Sequence, residues 1–187
     1  MANIKNIEDF LVETEILITE SFDGYTGDKT NKENEVKARI KVNRALVWLN
    51  INRGFFGRLL GELNIYGSSA LDPETMCTNG LNITYHPEFV LNQTDKAVRF
   101  VLAHELLHCV GDHMTRRGSR DPLLWNYAAD YAINPILADE ADSGDAMEWP
   151  KMPDGSKMGL FEEKYSGMRA EEIYDLLVEE NKGSQAK

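Results

Sequence analysis

Apolar positions along the chain recur mostly at helical spacing, with one interval in which the period shortens to that of strands. Residues 7–22, IEDFLVETEILITESF, space their apolar side chains for a helix. A charged, turn-rich stretch follows over 23–34, so residues 1–34 are expected to form an N-terminal helix and a charged loop. A second helix is predicted over 35–49, which brings Ile40, Leu46, Val47, Trp48 and Leu49, and Gly54 punctuates the chain before a short helical run over 55–63. In ETMCTNGLNITYHPEF, residues 74–89, Asn79-Gly80 separates two runs rich in Thr, Ile and Tyr, which predicts a hairpin with its second strand over 81–85.

Residues 97–110, AVRFVLAHELLHCV, are apolar almost all round a helix, so this helix is expected to be buried. Thr94 and Asp95 are the capping residues expected at its start, and Gly111 is where it should weaken or turn. Asp121-Pro122 is a second start signal, a capping carboxylate followed by proline at the first helical position. That helix should run to about Asn134, where Pro135 ends or kinks it. Residues 139–159, rich in Gly, Pro, Asp and Ser, read as a long irregular loop able to line or cover a site. Residues 168–180 form an amphipathic helix with Ile173, Leu176 and Leu177 inward, and 181–187 a frayed tail. The pattern predicts one α+β domain over 1–187, mostly helical, with a small β-hairpin or sheet beside the buried helix.

The chemistry lies in that buried helix. His104 and His108 stand at i and i+4, one turn apart on one face, with Glu105 beside the first: an H-E-x-x-H arrangement. A lone carboxylate buried there would cost several kcal/mol or take up a proton. Two imidazoles would also need partners, and a divalent ion with its water satisfies all three. A catalytic zinc usually takes three protein ligands, so one is missing. His113 is one candidate, although it arrives one residue earlier than the extended H-E-x-x-H-x-x-G-x-x-H pattern requires. Asp130 is the other and the preferred one. With Asn126 and Asn134 it forms a polar stripe at i, i+4 and i+8 on an otherwise apolar helix, where a carboxylate needs a counter-charge. Asn126 and Asn134 are then expected to orient Asp130 or a histidine. The competing reading has Asp130 merely hydrogen-bonded to a neighbouring helix or to Arg116 or Arg117.

Composition narrows the function classes. A formal net charge of −11, with no clustered Lys/Arg run, disfavours nucleic acid and anionic lipid as partners. No apolar run approaches the length of a membrane span, and the first residues lack a signal-peptide core, so a cytoplasmic protein is expected. Cys77 and Cys109 read as reduced thiols packed as small apolar side chains. His86, before Pro87, reads as a surface or turn histidine.

GFFGRLL, the hairpin ending in YHPEF, VLAHELLH followed by His113 and Arg116-Arg117, then DPLLWNYAADYAIN and EEIYDLL together resemble a metallopeptidase domain of bacteria and phages. That domain is often fused to a von Willebrand A-like domain, of which this sequence has no counterpart. The resemblance covers residues 54–177. It implies a zincin-like fold and zinc-dependent peptide hydrolysis. In that reading His104, His108 and Asp130 bind Zn²⁺, and Glu105 is the general base. His113, Tyr127 and Tyr131 are candidate oxyanion donors, and a peptide or protein substrate could pair with the hairpin edge around 82–86. The alternative is a non-catalytic, zinc-stabilised protein-binding module, against which the intact Glu105 argues.

Overall fold

The computed structural model describes residues 29–185, so the helix expected over 7–22 lies outside the described residues. The chain there forms α1 (Lys29–Asn52), α2 (Gly54–Leu60), β1 (Asn64–Gly67), β2 (Met76–Thr78), β3 (Asn82–Tyr85), α3 (Pro87–Asn92), α4 (Asp95–Val110), α5 (His113–Arg116) and α6 (Pro122–Ser143). A 3-10 turn (Glu163–Tyr165) and α7 (Ala170–Gln185) complete it. The fold is α+β and mostly helical, as the pattern predicts.

α1 begins at Lys29 instead of 35, within what reads as loop. Its first turns lack an apolar face, but Glu33 pairs with Lys37 at i,i+4, and Asn34 donates to Glu88 of α3 at 2.6 Å. Beyond them Ala38, Val42, Ala45 and Leu49 form one buried stripe. α2 packs back on α1 through Gly57, where an added Cβ would lie 2.1 Å from the Cα of Asn50.

The sheet order is β1-β3-β2, with β1 parallel and β2 antiparallel to β3. The expected hairpin is present. Asn79 Oδ1 accepts from the amides of Leu81 and Asn82, and Gly80 takes the turn's positive φ of 91°. β1 was not expected, and it changes which edge is open. β3 is central and paired on both sides, so the outer edges among the described residues are β1 and β2, and a substrate strand cannot pair with β3 as expected above.

Thr94 caps α4 by accepting from the Ala97 amide at 3.1 Å, and the helix stops before Gly111. Asp121 caps α6 by accepting from Leu124, with Pro122 at the first turn. α6 does not end at Pro135 but runs to Ser143 and stops at Gly144, whose φ is 66°. An internal proline costs ~3 kcal/mol. Here the continued helix buries Leu137, Ala138 and Ala141 in the main core, which offsets a loss of that size.

α6 therefore serves two packings. Its later half joins α1, α4 and β3, together with Met147 and Trp149, in the main core; its earlier half packs on the 3-10 turn and α7 through Ala128, Tyr165 and Ile173. Leu176, expected inward, is exposed, while Ile173 is buried and Leu177 packs beside it. The tail expected to fray from 181 is helical to Gln185. Among the described residues no helix is long and apolar enough to cross a membrane.

Candidate metal centre

α4 is buried on nearly every side, and α6 packs against it with the Asn126, Asp130, Asn134 stripe turned to the same cleft as His104, Glu105 and His108. The Nε2 atoms of His104 and His108 are 3.0 Å apart. Asp130 Oδ1 lies 3.1 Å from His108 Nε2 and 3.5 Å from His104 Nε2. That oxygen is buried yet has no hydrogen bond of acceptable geometry. Arg116, the alternative partner for Asp130, is engaged instead with both carboxylate oxygens of Glu171, at 3.0 and 2.6 Å.

The hydrogen bonds around these groups set where their protons sit. Asn134 donates through Nδ2 to the Leu160 carbonyl at 2.7 Å, which leaves its Oδ1 facing His104 Nδ1 at 2.9 Å. His104 must then carry a proton on Nδ1, and in the neutral ring its Nε2 is a bare lone pair. His108 Nδ1 lies 3.2 Å from His113 Nδ1, a contact that needs one proton. With that proton on His108, its Nε2 is bare as well. In these neutral tautomers two ring lone pairs and a carboxylate oxygen converge, a donor set that fits a cation. Among the described residues, His104, His108 and Asp130 form a group able to hold a metal ion; their ligand atoms lie within 4.8 Å of one another.

Electrostatics keeps Asp130 ionised and His108 neutral, whereas His104, which burial alone would lower, is raised overall by the adjoining Asp130 and Glu105 carboxylates. Burial pushes the Asp130 carboxyl up, but the close approach and charge of the His104 and His108 rings outweigh it and hold it at about 2. His108 is lowered, chiefly by burial. His113 is brought down to about 4 by burial and then by the charges of His108 and Arg116, so it is neutral at pH 7. Glu105 is raised to about 7, first by burial and further by Asp130, with His104 and the Thr78 backbone pulling the other way.

A cavity of about 460 Å³ opens over this group. Asn126 lines it from an exposed position. Three candidates lie away from it. His113 sits behind His108, buried beside Trp125, whose Nε1 donates to the His113 carbonyl at 2.8 Å. Tyr127 is exposed. Tyr131 packs on Tyr165, with ring centroids 4.7 Å apart, and its hydroxyl is 3.4 Å from Glu162. The cavity also takes Met158 and Gly159 from the segment after α6, in keeping with a loop that lines a site.

Two smaller expectations change. Both cysteines are free, but Cys77 is exposed on the cleft side of β2 instead of packed, while Cys109 Sγ is 3.2 Å from Thr78 Oγ1. His86 does stand at a turn, as the N-cap residue of α3, but it is buried rather than on the surface. The backbone of Thr78 and the carbonyl of Leu160 were not anticipated, because a main-chain contact leaves no mark in residue type.

The fold and its cleft thus define a helical α+β domain with a His-His-Asp candidate metal centre on two packed helices. A family described as "putative metallopeptidase domain" matches residues 37–187, and the chain belongs to it. No curated protein and no solved structure matches the chain.

Proposed function

We propose that this protein is a zinc-dependent peptidase, with Zn²⁺ held by His104 Nε2, His108 Nε2 and Asp130 Oδ1, and Glu105 as general base. The observation that carries this reading is the convergence of His104 Nε2, His108 Nε2 and the buried Asp130 Oδ1, an oxygen without a hydrogen-bond partner, beside the buried Glu105. Donors ~2.0–2.1 Å from one tetrahedral zinc would be roughly 3.3 Å apart. The separations here are 3.0, 3.1 and 3.5 Å. When bound, zinc would supply a Lewis acid that acidifies water and polarises a carbonyl.

Glu105, with a carboxyl raised to about 7, is suited to take a proton from the attacking water and return it to the leaving amine near neutral pH. Asp130 contributes a fixed negative charge, and Asn134 and His113 hold the two imidazoles in their ligand tautomers. A purely structural metal site would gain nothing from a buried Glu105, whose desolvation is a cost.

Zinc-loaded protein is expected to cleave an unfolded protein substrate, to lose that activity to a chelator and to regain it with added zinc. Activity that survives complete removal of metal would refute the reading. Asn134→Ala and His113→Ala should each weaken zinc binding by ~10–100-fold without abolishing it, the usual effect of removing a group that orients a ligand. Competition titration against a chromogenic chelator, with circular dichroism to confirm folding, measures this. An unchanged affinity in both folded variants would leave these two residues without the positioning role.

A further inference from the structure

Resting on the hydrolytic reading, we propose that the cleft selects internal peptide bonds flanked by a bulky apolar side chain, and that Phe89 and Met158 read that side chain. Phe100 and Val101 each stand one turn before His104 and Glu105, so the wall that carries the chemistry runs directly into apolar surface. Met76, Phe89, Pro150 and Met158 add further apolar lining to the same cleft, from β2, α3 and the segment after α6.

These walls differ in what they offer a ligand. Met76, Phe100 and Val101 are nearly inaccessible, with exposures of 4, 2 and 7%, and act as backing. Phe100 is fixed further by Trp149, with ring centroids 4.7 Å apart. Phe89 and Met158 are only partly buried and keep apolar surface that a substrate side chain would cover. The segment that carries Met158 is anchored. Gln93 donates to the Lys151 carbonyl and accepts from its amide, both at 2.9 Å, and the Met158 amide donates to the Pro150 carbonyl at 2.8 Å. The pocket is therefore preformed. An unbranched thioether adapts to several shapes, so a class of side chains is read and not one residue.

Charge points the same way. Among the described residues, those lining the cleft include Asp72, Glu105 and Asp130 but no lysine or arginine. An acidic side chain entering the apolar part would be desolvated without a partner. A free C-terminal carboxylate would meet no lysine or arginine among these described residues, which favours bonds within a chain over its last one.

The test uses acetylated, amidated hexapeptides that carry Leu, Phe, Gly or Asp on either side of the central bond. With zinc-loaded wild-type protein, Leu and Phe should exceed Gly by about 100-fold in kcat/KM, since each methylene in an apolar pocket is worth ~10-fold or more, and Asp should fall below Gly. Met158→Ala should cut the Leu-to-Gly ratio about tenfold, and Met158→Lys should cut the Leu-to-Asp ratio at least tenfold.

A second readout does not depend on turnover. In zinc-loaded Glu105→Gln protein with ¹³C-methyl methionine, the Leu peptide should shift the Met158 resonance, and the Gly and Asp peptides should not. Cleavage indifferent to these side chains, or equal for Asp and Leu, would overturn the proposal while leaving hydrolysis intact. Selective methyl shifts without cleavage of any peptide would uphold the pocket and sink the hydrolytic reading. Absence of both would remove both.

Discussion

Glu105→Gln is expected to lower peptide hydrolysis by about 10²–10⁴-fold while the protein stays folded and keeps its zinc, because the amide preserves volume but accepts no proton from water. A second consequence concerns the metal-free protein. The Glu105 carboxyl is raised to about 7 from an ordinary value of 4.5, so ionising it costs more in the folded chain than in the unfolded one. That cost is absent below the unfolded value, grows as pH rises from 4.5, and is complete above about 7. Glutamine never ionises, so metal-free Glu105→Gln should exceed wild type in stability by about 3 kcal/mol above pH 7 and match it near pH 4. Urea unfolding at the two pH values measures the difference. Wild-type turnover in the variant would remove Glu105 as the base, and equal stability at pH 8 would deny that its carboxylate is buried at a cost.

The second large effect is on metal binding. His104→Ala, His108→Ala and Asp130→Ala should each weaken zinc affinity on the order of 10²–10³-fold, taking one ligand's share as roughly a quarter of the ~10–16 kcal/mol that zinc sites supply. The histidine variants lose a lone pair aimed at the ion. Asp130→Ala also removes the only carboxylate among the three donors. His113→Ala should lose far less, because its Nδ1 contacts His108 and its ring is buried outside the cleft. A His113 variant that cannot hold zinc, beside an Asp130 variant that can, would exchange their roles.

Much of the candidate site was legible because its spacing is local. His104, Glu105 and His108 occupy one helical turn, and the stripe of Asn126, Asp130 and Asn134 follows the period of a second helix, so helix periodicity alone puts each set on one face. The cap residues Thr94 and Asp121 were equally plain, since their side chains act on amides three residues ahead. What stayed hidden depends on distant partners. β1 has four residues and forms by parallel pairing with β3, and no local signal reports a partner so far along the chain. Pro135 argued for the end of α6, and burial of Leu137 and Ala141 outweighed it. The tautomer of His104 rests on Asn134, and the orientation of Asn134 rests on the Leu160 carbonyl, a main-chain atom of a loop.

The central claim is a zinc ion shared by two helices, and the most direct measurement is anomalous scattering at the zinc edge from crystals of the zinc-loaded protein. The account predicts one peak ~2.0–2.2 Å from His104 Nε2, His108 Nε2 and an Asp130 carboxylate oxygen, with an open position facing the cleft. A peak ligated by His113 in place of Asp130, a site closed by a fourth protein ligand, or no peak between α4 and α6 would contradict it.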